Sequence, residues 1–316
     1  MIDFRYHLVS LIAVFLAVAL GIVIGTTQLN GPVLSNLQTQ VKALQQDKRT
    51  LEDRTRGLQT DVSGSHAFEQ AVGPALVQGS LTGRRVLVVV TDDGVAQGTI
   101  DGVTTLLGKA GATVTGALRL QPAYSDPATA ASLQSYVTGP GLPAVPLPQV
   151  NDTAKLVGSL LAQVLMVPVK AARTVPGAAD VSSVLAGLSA LKVLRQDTPS
   201  VTPANYAVVL TAGVQTGVDA AARTGSLVDL VTALDAAGSG AVVAGDPVST
   251  ATTGLVGAVR AVPTLSAAVS TVDNTSSPAG QISTVLALGP EGRGTSGKYG
   301  TGQNTQPVPP VAAATP

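Results

Sequence analysis

Cysteine is absent from this 316-residue chain, and with it go disulfide frameworks, thiolate nucleophiles and cysteine-based zinc or iron–sulfur sites. Tryptophan is absent too, and five Tyr and three Phe make up all the aromatics. Two His and two Met, one of them the initiator, offer few ligands to soft or borderline metals. Charge is scarce: 12% of residues are charged, against roughly a quarter in an ordinary soluble domain. Nineteen basic and nineteen acidic side chains cancel to zero net charge. That leaves no basic field for nucleic acid and no acidic solvating chain.

Catalytic signatures are missing as well. No GxGxxG follows the first strand-like run, and neither GxxxxGK[ST] nor GxSxG occurs. His7 borders an apolar segment and His66 lies in a mixed stretch, so neither is placed as a general base. The expectation is a chain that is no enzyme and carries no cofactor.

What is present begins at the N-terminus. Residues 8–25, LVSLIAVFLAVALGIVIG, are 18 apolar or small residues without a charge. At the helical rise they extend about 27 Å, close to the thickness of a bilayer core. Arg5 and His7 precede the run, and the next basic residue is Lys42. The positive-inside rule then gives a single-pass anchor over 1–27, N-terminus in, with the main domain outside the cytoplasm. The rival is a signal peptide cut at the small pair Ala17 and Ala19. It would leave LGIVIG on the mature end.

A coiled-coil stalk is predicted over 28–62. Leu37, Leu44, Leu51 and Leu58 recur every seven residues as d positions, with Leu34, Val41, Lys48, Thr55 and Val62 at a. Lys48 and Thr55 weaken the seam, and polar a residues of this kind select register and a low oligomer number. Arg49–Asp53 and Glu52–Arg56 are spaced for i,i+4 pairs. A homo-oligomer is the expected partner state; the alternative is a lone amphipathic helix packed on its own domain.

Residues 63–83, with Gly64, Gly73, Pro74 and Gly79, read as a connector. RRVLVVVTDDG then gives a strand buried on both faces, as in a parallel sheet. Strands are predicted at 86–91, 112–118, 206–211, 241–245 and 267–272. Helices are predicted near 97–110, 126–138, 152–167, 180–195, 226–237, 249–261 and 279–288. This alternation over 84–288 points to a doubly wound, mostly parallel α/β domain. A helical insertion near 139–205, opened by GPGLPAVPLP, reads as a lid or interaction arm. The tail 289–316, rich in Gly, Thr and Pro, is expected to be disordered.

Open α/β sheets bind ligands beyond the carboxyl ends of their strands. Those ends carry Asp92 and Asp93, Asp246, and Asp273 with Asn274. Together they are a weak candidate metal set, able to hold a hard cation or a polar ligand through oxygen. The commonplace alternative is that each Asp shapes its own turn.

MIDFRYHLVSLIAVFLAVALGIVIGTTQLNGPVL, LTGRRVLVV and STVDNTSSPAGQISTVLALGPEGRGTSGKYGTG closely resemble the actinobacterial copper transport outer membrane protein family, the mycobacterial copper transport protein B-like proteins. The resemblance runs over nearly the whole chain. Its two ends are specific, and the middle, from about 120 to 205, matches in character. It implies a cell-envelope protein of copper homeostasis, with a pore in the outer, mycolate-type membrane. Members of the family also look like envelope partners of a membrane protein in cell-wall assembly and cell separation. No copper ligand is carried over.

The residues sit uneasily with a pore. A β-barrel needs many alternating segments with aromatic girdles, and the imidazole and thioether ligands here are scattered. Three functions therefore stand: a copper transport component, a coiled-coil scaffold for envelope partners, and a carboxylate-lined binding protein.

Overall fold

A computed structural model describes residues 4–140, 142–143, 145–167 and 176–310, and their side chains except those of 26–34. The chain divides into two compact units, residues 1–65 and 66–316. One helix, α1 (Phe4–Val77), runs through the first unit and into the second.

In the first unit Phe4–Gly25 is long and apolar enough to cross a membrane, and none of it is buried within the protein. Its 22 residues extend about 33 Å. Beyond it the predicted a and d side chains lie exposed along the helix, with Leu44 at 71%, Leu51 at 61% and Leu58 at 66%. The seam residue Leu34 falls outside the described side chains. The ion pairs formed are not the expected Arg49–Asp53 and Glu52–Arg56: Lys48 reaches Glu52 at 3.5 Å and Arg56 reaches Asp53 at 3.1 Å. Thr55 donates its hydroxyl to the Leu51 carbonyl at 2.8 Å. That satisfies its polar atom on its own helix and leaves its methyl free for the seam.

The second unit begins inside the helix. The expected connector is helical through Val77, so Gly64, Gly73 and Pro74 do not interrupt it. Its end is held by packing that local propensity does not report. The Ala279 amide donates to the Glu69 carboxylate at 3.0 Å, and Val77 and Leu81 are buried. At Gly73 the helix packs against the Ile282 side chain, whose tip would have to shift to admit a Cβ.

The sheet follows, with its helices in chain order. The elements are β1 (Arg85–Val90), α2 (Gln97–Lys109), β2 (Thr113–Leu120), α3 (Ala130–Val137), α4 (Thr153–Leu165), α5 (Ala178–Ala190) and β3 (Leu194–Gln196). Then come β4 (Tyr206–Thr211), α6 (Ala220–Ala237), β5 (Ala241–Gly245), α7 (Leu255–Ala261), α8 (Pro263–Ser266), β6 (Ser270–Val272), α9 (Pro278–Glu291) and β7 (Lys298–Tyr299).

Among the described residues the strands form one sheet in the order β3-β2-β1-β4-β5-β6-β7. Every pairing is parallel except β2 with β3. The direction of winding reverses between β1 and β4, the switch point of a doubly wound sheet.

Alternation along the strands fills two cores. Leu87, Val89, Val209 and Val243 face the layer of α3 to α7. Val86, Val88, Val208 and Val242 face α2, α9 and the end of α1. Strands covered on both faces read as unbroken apolar runs, which is why β1, β4 and β5 are visible in the sequence.

Three further expectations are corrected. The predicted helix 180–195 stops at Ala190, and Leu194–Gln196 instead form an antiparallel edge strand. The expected lid or arm is structural: Leu156, Leu160 and Leu161 of α4 are buried, and Gly158 lets α4 approach the α6 backbone at Leu230. Part of that region, residues 168–175, lies outside the described residues.

The third correction concerns the tail. Residues 289–310 are ordered: α9 continues to Glu291, and β7 pairs with β6, burying Tyr299. Residues 311–316 lie outside the described residues. Hydrogen bonds and a buried ion pair supply what the tail's composition does not.

At the amino ends of β5 and β6 a buried carboxyl, Glu291, lies near a half-buried one, Asp235. Glu291 accepts from the Ser270 amide and Asp235 from the Ala241 amide. Burial pushes the Glu291 carboxyl up to about 8, opposed by its bonds to Ser270 and reinforced by Asp235. Burial also raises Asp235, to about 6. A proton held more tightly in the folded state than in the unfolded chain stabilises below the unfolded value. That contribution is lost as pH rises through the folded value. The domain's urea midpoint is therefore expected to fall between about pH 4.5 and 8. Glu291→Gln should flatten that fall, and an unchanged slope in the variant would count against it.

Candidate functional site

The carboxyl edge of the sheet is built from the loops after β1, β2, β4 and β5. Asp92 ends the β1 run. One of its oxygens accepts from the Gly94 amide at 2.8 Å; the other accepts from the Thr91 hydroxyl at 2.8 Å and the Ala212 amide at 3.3 Å. Asp246 begins a short turn of 3-10 helix after β5, accepting from the Ser249 and Gly213 amides, both at 2.9 Å. Asp92 and Asp246 thus hold consecutive amides of one loop, that after β4. The geometry brings these two to one edge.

Asp93 has another environment. It is 69% exposed, 3.6 Å from Arg119 and 4.0 Å from Arg195. Arg119 is buried on β2 and donates to Asp197 at 3.0 and 3.1 Å and to the Asp92 carbonyl at 3.3 Å. Cross-strand register places Arg119 beside Arg195, so Asp93 and Asp197 offset two adjacent guanidinium groups. A buried charge persists only when paired in this way.

Asp273, after β6, is buried and serves the C-terminal segment. It pairs with Arg260 at 2.8 Å and accepts from the Thr301 and Gly302 amides. Arg260 also donates to the Thr271 hydroxyl and the Tyr299 carbonyl. Neighbouring Asn274 accepts from Ser277 through its backbone carbonyl, while Ser277 caps α9. Asp273 is tied to strand and tail, with no bond to the loops that hold Asp92 and Asp246.

Between the β1 and β2 loops and the start of α6 lies a cavity of about 200 Å³, lined by Asp92, Asp93, Gln121, Tyr124, Gln215 and Arg223 among others. A second, of about 220 Å³, adjoins it around Tyr124, Asp126 and Ser226. Arg223 meets Asp126 at 3.4 Å, and burial raises the Tyr124 phenol, which donates to the Ser226 carbonyl. Among the described residues no group of three or more His, Asp and Glu is placed to hold a metal ion. Met166 is fully buried in the core beside α4.

Sequence reading missed Arg119, Asp197, Arg223 and Arg260. A signal existed for the first: a lone arginine in the apolar run TVTGALRL calls for a buried partner. Nothing local names Asp197, 78 residues away.

The model of the family described as "Copper transport outer membrane protein, MctB" matches residues 1–310. Among curated relatives, Copper transporter MctB of Mycobacterium tuberculosis is 31% identical over 312 residues, covering 98% of this chain and 99% of its own. Copper transporter MctB of Mycobacterium leprae is 31% identical over 315 residues, with the same coverage.

Proposed function

We propose a role in copper transport from the premise that the chain belongs to the MctB family of copper transport outer membrane proteins. The observation that carries this reading is the match itself, which spans both units rather than one shared domain. In this reading the protein is a non-enzymatic cell-envelope component. Residues 1–27 anchor it with the N-terminus inside, 28–62 associate with a second copy, and the α/β domain works outside the cytoplasm.

Copper is cargo, and the chain offers it little to bind. His66 and Met166 are the only imidazole and thioether side chains beyond the anchor, and core packing occupies Met166. Full-length protein titrated with copper(II) against a competing chelator is expected to show no tight stoichiometric site. His66→Ala should change little. A tight site lost on that substitution would reveal direct copper binding by the chain.

A second reading is favoured by the exposed heptad stripe: a coiled-coil scaffold for envelope partners in cell-wall assembly and cell separation. A deletion strain separates the two. Raised cellular copper and copper sensitivity with normal cell separation support transport. Chained, unseparated cells with normal copper content support the scaffold.

A further inference from the structure

The stripe of a and d positions from Leu37 to Val62 carries one charge, Lys48. Its flanks are both acidic: Asp47 occupies the g position before it and Glu52 the e position after it. Within the chain the Lys48 ammonium lies 3.5 Å from Glu52, and the Asp47 carboxylate has no ion-pair partner among the described residues.

We propose that Lys48 sets the register of a parallel, two-stranded coiled coil with a second copy of this chain, its ammonium lying between its own Glu52 and the partner's Asp47. This rests on the self-association proposed above. In a parallel, in-register pair each g residue faces the e residue five positions on in the other helix. Asp47 then meets the partner's Glu52, a like-charge pair on both flanks. Two Lys48 ammonium groups in the intervening layer offset those four carboxylates.

A slip of one heptad sets Lys48 against Val41 or Thr55 and brings Asp47 to the e-position glutamines 45 or 59. The partner then flanks the ammonium with Gln40 or Arg54 in place of Asp47, a neutral or a like-charged neighbour. Strand number follows from the same residue. In two strands the lysine stem covers the leucine layers while its head reaches the flank. A third or fourth helix would enclose the ammonium groups at a higher desolvation cost.

The chain has no cysteine, so single engineered cysteines report the alignment directly. In full-length protein in detergent, Leu58→Cys is expected to form a disulfide with the same position of its partner. Efficient mixed linkage between Leu37→Cys and Leu58→Cys chains would show antiparallel pairing and overturn the proposal. Lys48→Glu should weaken self-association at least about tenfold by sedimentation, because six carboxylates then share one layer. Mixing that variant with an Asp47→Lys/Glu52→Lys chain should restore a one-to-one pair.

Undiminished association of Lys48→Glu, alongside loss of association in Leu44→Asp/Leu51→Asp, would remove the role of Lys48 and leave the seam standing. Undiminished association in both would remove the seam as well.

Discussion

Asp273→Ala is expected to cost the α/β domain about 3–5 kcal/mol and to release the segment after α9. The carboxylate is 1% exposed and Arg260 13%, so solvent cannot take the place of either partner. Removing the acid leaves the guanidinium with the Thr271 hydroxyl and the Tyr299 carbonyl, and leaves the Thr301 and Gly302 amides without their acceptor. The loss is that of an uncompensated buried charge, which exceeds the net worth of the pair. Denaturant unfolding measures the cost, and limited proteolysis within 293–305 reads the release. Asp273→Asn keeps the volume and one acceptor and should fall between parent and Ala. Parent-like stability and protease resistance in Asp273→Ala would mean that the tail is held by β7 pairing alone.

That segment also shows where a sequence stops speaking. GPEGRGTSGKYGTG has the composition of a solvated tail, and composition is a fair guide when a segment must pay for order with its own apolar surface. Here order comes from elsewhere: Asp273 follows β6 and Arg260 lies on α7, and their partners on the tail are backbone groups, which no residue type announces. Edge strands fail for a related reason. LRQ in β3 and KY in β7 are too short and polar to carry a period, and only pairing with β2 and β6 makes them strands.

The central strands were legible because each carries its pattern within its own residues. At the candidate site the carboxylates after the strands could be located in the sequence. Their bonds could not: Asp92 and Asp246 reach the same loop from 120 and 33 residues away.

Leu44→Asp/Leu51→Asp is expected to abolish self-association of the full-length protein while leaving the α/β domain's unfolding unchanged. Both leucines stand exposed on the helix, and neither belongs to the two buried cores. The substitutions therefore remove nothing that the folded domain uses. In a paired coil each leucine would bury a side chain worth roughly 1.5–3 kcal/mol, and four are lost per pair. The new carboxylates add repulsion in layers on either side of Lys48, and only the ammonium groups between them oppose it. No weakened but measurable dimer is expected from such a loss. Sedimentation in detergent should give the monomer mass across the concentration range in which the parent associates. An unchanged assembly mass would place the interface away from this seam, and the seven-residue repeat of leucines would then need another partner.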